Sequence, residues 1–263
     1  MSSLTVAERM RRGEKLSASW AQLTSSMSAE ILAEAGFDVI VPDMEHAPYS
    51  LPQLVSVLQA IKGTDCFSMV RAPWNDAVMI KQILDCGAQG IHVPYVCNRE
   101  EAEYAVKCCK YPLQGIRGLT SSQRATCYGM RKQAYFDRAN RDIIVMVAIE
   151  TSEGVENIEE IASVEGVDGI FIGPSDLSTS MGYFYNPKAP EVQEAIFRVE
   201  KSAKEKGKFL GTIAADFESA KALYDRGYTL VYFMSDVSAV ANAATAAVKK
   251  FGEWYGRGAA EHI

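Results

Sequence analysis

Histidine is scarce in this 263-residue chain: only His46, His92 and His262 occur. With no HExxH and no CxxC arrangement either, a zinc site of the clustered Cys/His kind is excluded. There is no GxSxG elbow for a serine nucleophile and no glycine-rich phosphate loop. No lysine closes a candidate strand, which leaves Schiff-base chemistry without a candidate there. No apolar run approaches the ~20 residues of a membrane helix. The N-terminal MSSLTVAERMRRGEKL has no apolar signal core, so neither secretion nor a membrane partner is expected. Basic excess is also lacking: 27 Lys and Arg against 33 Asp and Glu give a net charge of -6, which argues against a nucleic-acid partner. A disulfide framework belongs to small secreted domains, and a 263-residue chain without a signal core is not expected to be one, so the six cysteines (Cys66, Cys86, Cys97, Cys108, Cys109, Cys127) do not call for it. They read as reduced thiols of a cytoplasmic protein, with Cys108 and Cys109 as helix residues facing partly inward.

What the chain does have is a rhythm of short β-branched runs alternating with longer amphipathic stretches. Strands are expected at Ser17–Leu23, Val39–Pro42, Phe67–Arg71, Gly90–Pro94, Ile143–Glu150, Gly169–Gly173, Phe209–Ile213 and Leu230–Met234. Helical segments lie between them, and Gly36, Gly87, Gly166, Gly207 and Gly227 stand where a helix gives way to the next strand. Repeated βα units with right-handed crossovers build either an open doubly wound sheet or a closed barrel. About eight units favour an α/β fold with a single (β/α)8 TIM barrel. One domain is expected over residues 1–263, with 1–15 as an N-terminal helix or extension and 237–263 as a C-terminal helix. Residues 111–141 break the rhythm; no strand is evident, and the segment is expected on the side where βα loops build active sites.

Two acidic residues close buried strands. Glu150 ends the run IIVMVAI, and Asp176 follows GIFI in the segment GIFIGPSDLS. Carboxylates brought together at the strand ends of a barrel repel and pay for desolvation, unless a cation or proton lies between them. Oxygen donors suit a hard divalent ion such as Mg2+ or Mn2+, with Co2+ a further candidate; no organic cofactor is called for. The second strand ends in PDMEHAP, which puts Asp43, Glu45 and His46 at its edge, and a histidine beside acids can be tuned as a base near neutrality. Arg71 closes the third strand and must face an acid, for which Asp43 and Asp85 are candidates, or an anionic ligand. His92, inside an apolar run, reads as a satisfied structural residue. Gly173, Pro174 and Ser175 form a sharp turn whose backbone N–H groups can hold a carboxylate.

The motifs PDMEHAPYS, VRAPWND, KQILDCGAQGIHVPYV, YPLQGIRG, VAIETSEGVENIEEI and VEGVDGIFIGPSDLSTSMG occur in this order. In order and spacing the chain resembles the HpcH/HpaI family of metal-dependent class II pyruvate aldolases, from about Leu16 to Asp236. The resemblance implies a barrel of the phosphoenolpyruvate/pyruvate type. By motif match, Glu150 and Asp176 would bind a divalent cation, which chelates the carboxylate and keto oxygen of pyruvate. Arg71 would meet the keto or enolate oxygen, and Trp20 would line the pyruvate pocket. His46, helped by Asp43 and Asp85, would position or activate the metal-held water that shuttles protons. The backbone of Gly173, Pro174 and Ser175 would hold the pyruvate carboxylate. The implied assembly is a homo-oligomer, a trimer or hexamer, with the last helix packed on a neighbouring barrel and Asp85 acting across that interface.

The implied reaction is reversible cleavage of 4-hydroxy-2-oxoacids to pyruvate and an aldehyde. The alternatives are an oxaloacetate decarboxylase or a macrophomate-synthase-like enzyme using the same enolate, and a non-catalytic oxoacid-binding barrel. The chain departs from the family pattern at Ala148, where many relatives carry glutamine, in the segment RGLTSSQRATCYG, and at Met234–Asp236.

Overall fold

Eight apolar runs, each long enough for one crossing of a sheet, become the strands β1 (Leu16–Ala21), β2 (Val39–Pro42), β3 (Phe67–Arg71), β4 (Gly90–Val93), β5 (Ile144–Ile149), β6 (Gly169–Ile172), β7 (Phe209–Ile213) and β8 (Leu230–Ser235). They pair in parallel in chain order, and β8 closes on β1, so the expected barrel is formed. The computed structural model describes residues 4–255. Between the strands run α1 (Val6–Arg11), α2 (Ser26–Glu34), α3 (Leu51–Ala60), α4 (Ala77–Asp85), α5 (Arg99–Cys109), α6 (Lys132–Asp142), α7 (Ser152–Glu156), α8 (Ile158–Ala162), α9 (Pro174–Ser180), α10 (Pro190–Glu205), α11 (Phe217–Asp225) and α12 (Asp236–Tyr255). Among the described residues no helix is long and apolar enough to cross a membrane.

The strand period of two divides the apolar residues into two cores. On β5, Val145, Val147 and Ile149 pack outward in the cluster shared with the helices, while Ile144, Met146 and Ala148 face the barrel axis. The axis also takes Trp20, Val41, Met69, Phe171, Phe209 and Tyr232. Large rings need small partners in this interior: a Cβ on Gly169 would sit 2.3 Å from the Phe209 ring. The same parity carries past the strand ends. Val39 and Val41 lead to Asp43, Phe67 and Met69 to Arg71, and Met146 and Ala148 to Glu150, which sets charged groups on top of the apolar interior.

The opposite mouth is closed by α1, the helix expected within residues 1–15. Thr5 and Glu8 form a capping box at its start. Met10, fully buried, and Ala7 enter the axial cluster, while Arg9 pairs with Asp38 and Arg11 with Asp168, each at 2.8 Å. On the other face, the loops after the strands end in N-cap side chains. Ser25, Ser50, Asp76, Asn98, Thr151 and Asp216 each accept from the backbone N–H three residues on.

One expectation changes. Residues 111–141 hold a 3-10 turn, Arg124–Thr126, and the helix α6. They follow α5, so they connect a helix to a strand and lie at the mouth opposite the strand C-termini. Arg124 accordingly donates to Leu58 O near the end of α3 and to Cys86 O just past α4. The C-terminal helix expected from residue 237 is α12, of whose described residues only Asp236 is buried: Val240, Val248, Phe251 and Trp254 are exposed along it. Residues 256–263, including His262, lie outside the described residues.

Candidate active site

Three strand ends supply a fixed positive charge. Arg71 Nε donates to Asp43 Oδ1 at 2.9 Å and Nη2 donates to Asp43 Oδ2 at 2.7 Å, a two-pronged pair at the ends of β3 and β2. Asp43 is fully buried, and it also accepts from Gln22 Nε2 and from the backbone N–H groups of Glu45 and His46. Burial opposes its charge, but the Arg71 fork, Gln22 and the His46 N–H prevail and hold its carboxyl at about 2. The guanidinium lies over the Trp20 ring, 4.2 Å from its centre. The two readings of Arg71, internal pair and anion site, are compatible, because Nη1 makes no hydrogen bond to Asp43. That nitrogen lies 3.2 Å from Glu45 Oε2.

Glu150 and Asp176 are brought to the same face, and Tyr95 connects them. Its backbone N–H donates to Glu150 Oε2 at 3.3 Å and its phenol to Asp176 Oδ1 at 3.4 Å. Glu150 is 2 % exposed. Burial, then Glu45 and Asp176, push its carboxyl up to about 7. Burial raises Glu45 as well, against the pull of Arg71 and His46. Burial and the three carboxylates Asp176, Glu150 and Glu45 drive the Tyr95 phenol up to about 12. Gly173 makes room for this arrangement: a Cβ there would meet Glu150 Oε1 at 2.5 Å. Its φ of -92° is open to any residue, so contact rather than backbone conformation demands glycine.

The other residues singled out in the sequence fall into two groups. His46 is on the site face, exposed, with Nε2 3.6 Å from Glu45 Oε2 rather than on Asp43. Pro174 and Ser175 open α9 beside Asp176, and Trp20 lies in the axial core under Arg71. Asp85 is elsewhere within the chain: at the end of α4 it pairs with buried Arg117 at 2.7 Å, at the opposite mouth. His92 is fully buried as expected, but it is not satisfied. Among the described residues neither ring nitrogen has a hydrogen-bond partner, and the ring packs on Phe171 with centres 4.4 Å apart. Burial and Arg71 hold its pKa well below the usual histidine value. Two residues of the site escaped the sequence reading. Glu45 was visible in PDMEHAP but was given no role, and Tyr95, the first residue past Pro94, carried only its place after a strand.

The residues fit a divalent cation. Glu150 is a buried carboxylate with one long hydrogen bond, Glu45 Oε2 is buried without one, and the donors are all hard oxygens. Among the described residues no three His, Cys, Asp or Glu side chains close around one point. Glu150 and Asp176 are the pair that would hold such an ion.

Residues 16–243 match the family described as HpcH/HpaI aldolase/citrate lyase. The chain is 44% identical over 233 residues to a 4-hydroxy-2-oxo-heptane-1,7-dioate aldolase of Shigella boydii serotype 4 (strain Sb227), with 89% of each chain covered. Among solved structures it is similar to an HpcH/HpaI aldolase/citrate lyase family protein of Burkholderia cenocepacia J2315, at TM-score 0.90 and 34% identity over 94% of this chain and 98% of that one. An HpcH/HpaI aldolase of Desulfitobacterium hafniense DCB-2 gives TM-score 0.88 and 28% identity over 95% and 98%.

Proposed function

The chain belongs to the HpcH/HpaI aldolase/citrate lyase family, and from that premise we propose that it is a divalent-metal-dependent carbon–carbon lyase. It cleaves 4-hydroxy-2-oxoacids to pyruvate and an aldehyde, reversibly. The observation that carries this reading is Glu150, a buried carboxylate raised by its neighbours, beside Asp176 and close enough to Arg71 to feel its charge. Such a group is compensated by a cation, and such a cation is what enolate chemistry needs.

In the cleavage direction the C3–C4 bond breaks, its electron pair moves onto C3 and into the 2-keto group, and the 4-hydroxyl gives up its proton as the aldehyde forms. When bound to Glu150 and Asp176, a divalent cation supplies Lewis-acid charge at the keto oxygen. Arg71 presents a guanidinium already oriented by Asp43, so positive charge stands where negative charge grows, without reorganisation. His46, exposed and held near Glu45, takes the hydroxyl proton and returns one to C3. Of the turn expected to hold the substrate carboxylate, the Gly173 N–H is given to Ile149 O and Pro174 has none. The free N–H groups are those of Ser175 and, beside it, Asp176, which have no partner inside the helix and bind the carboxylate. Gly173 keeps that turn against Glu150, and Trp20 forms the floor. The exposed apolar side chains of α12 support a homo-oligomer, a trimer or hexamer, in which that helix packs on another copy. Asp85 reaches His46 only from such a copy. A cytoplasmic location and Mg2+ or Mn2+ as the ion belong to the same reading.

The test is to strip metal with a chelator and follow pyruvate release from a panel of 4-hydroxy-2-oxoacids and from oxaloacetate. Release restored by Mg2+ or Mn2+, and lost in Asp176→Ala, is expected. Turnover independent of metal would overturn the proposal. Consumption of oxaloacetate alone would favour the decarboxylase, and pyruvate binding without turnover the non-catalytic barrel.

A further inference from the structure

Beside the acidic pair, between the loops that follow β3 and β4, lies an open cleft of about 260 Å3. Its walls are aromatic: Trp74 and Tyr95 stack with ring centres 5.8 Å apart and planes 27° from parallel, and Tyr104 of α5 also lines it. Trp74 is 56 % exposed and Tyr104 39 %. Exposed rings of this size are costly to leave in water and suited to covering a flat apolar group. Among the described residues, the charged side chains that line the cleft are Glu100 and Glu101, in the first turn of α5, and Glu101 Oε2 accepts from the Cys97 N–H. No lysine or arginine lines it.

The cleft is joined to the reacting centre by one residue. Tyr95 forms its inner wall with the ring that stacks on Trp74, and the same residue donates to Glu150 and Asp176. A substrate whose carboxylate lies at the start of α9, past β6, extends across the acidic pair toward β4 and β3, where the cleft opens.

We infer that this cleft receives the aldehyde half of the substrate and selects a neutral aldehyde with a flat, aromatic body over one that ends in a carboxylate. The inference rests on the lyase reading and gives it a substrate class. Contact with the exposed rings of Trp74 and Tyr104 favours the aromatic body, while Glu100 and Glu101 repel a terminal carboxylate, with no cation among the described lining residues to offset them. This preference differs from the dicarboxylic acid in the name of the Shigella relative.

The test compares kcat/KM for 4-hydroxy-2-oxo-4-phenylbutanoate, which releases benzaldehyde, with that for 4-hydroxy-2-oxoheptane-1,7-dioate, which releases a carboxylate-bearing aldehyde. Both release pyruvate and are read by the same coupled assay on the metal-loaded enzyme. Wild type is expected to favour the phenyl substrate by about tenfold, the scale of one aromatic contact. Trp74→Ala removes that preference and Trp74→Phe restores most of it, whereas Glu100→Lys raises use of the dioate by about threefold, as a partly exposed charge does. A wild type that prefers the dioate, or a Trp74→Ala that lowers both substrates equally, would overturn the inference while the lyase reading stood. Absence of metal-dependent pyruvate release from either substrate would overturn both.

Discussion

Replacing Glu150 by glutamine should make the metal-free protein more stable while abolishing its response to metal. Glu150 is buried, has one 3.3 Å hydrogen bond from the Tyr95 N–H, and stands near Glu45 and Asp176. Burial and those two acids raise its carboxyl from 4.5 to about 7. A group with a raised folded-state value binds its proton more tightly when folded, so its ionisation costs stability. The cost begins as pH rises past about 4.5 and is complete above about 7. In full it amounts to ~3 kcal/mol, or about 6–12 °C in melting temperature for a chain of this size. The assay is thermal unfolding in chelator at pH 8 and pH 5, followed by the same melts with Mg2+ or Mn2+. Glu150→Gln should melt above wild type at pH 8, and the gap should shrink to under about 1 kcal/mol at pH 5, where the wild-type carboxyl is largely protonated. Metal should raise the wild-type melt at pH 8 and leave the variant unmoved. A variant that melts at or below wild type at pH 8 in chelator, or an equal response of both to metal, would refute the reasoning.

Other predictions follow from particular contacts. Gly173→Ala places a methyl 2.5 Å from Glu150 Oε1, and displacement of that oxygen should weaken metal affinity by about 10–100-fold in calorimetry while circular dichroism stays unchanged. Arg71→Met leaves the fully buried Asp43 without its partner and should cost about 3–5 kcal/mol in urea unfolding, with part of the loss recovered in Arg71→Met/Asp43→Asn. The Asp43 carboxyl, held at about 2, contributes stability that is complete above about 4; wild type should lose it as pH falls from there through 2, and Asp43→Asn should lack that portion of the slope. Trp254→Glu, on the exposed run of α12, should lower the assembly state seen by sedimentation velocity, and an unchanged sedimentation coefficient would count against packing between copies.

All eight strands were legible as short, largely apolar runs set between helical stretches; β5 and β6 are apolar on both faces, while β1 carries serines on its outer face and was legible from its place in the βα rhythm. Helix α6 was not, for a physical reason: of its eleven residues only Ala139 is buried, so it carries no apolar stripe to read. The segment around it was placed at the wrong mouth because its polarity drew attention, whereas its position after α5 decides which end it occupies. In the site, Glu150, Asp176, Asp43 and Arg71 could be found as charges that interrupt buried runs. Tyr95 could not, because its role depends on a backbone N–H and a phenol reaching two carboxylates, one just past β5 and one in the first turn of α9. Gly173 was read as a turn former, yet its lack of a side chain matters for the carboxylate packed against it. His92 shows the limit of assuming that burial brings partners: among the described residues its two nitrogens have none.

Tyr95 has one more consequence. It touches one acidic group with its main chain and the other with the far end of its side chain, so the span between the two is gauged by a residue that is ligand to nothing. A phenylalanine there would free one end of the gauge and a shift of the loop would move the other, and neither change alters a carboxylate. Should the pair hold a cation as proposed, its choice between a small ion and a larger one would follow the β4–α5 loop while every acid in the site stays in place.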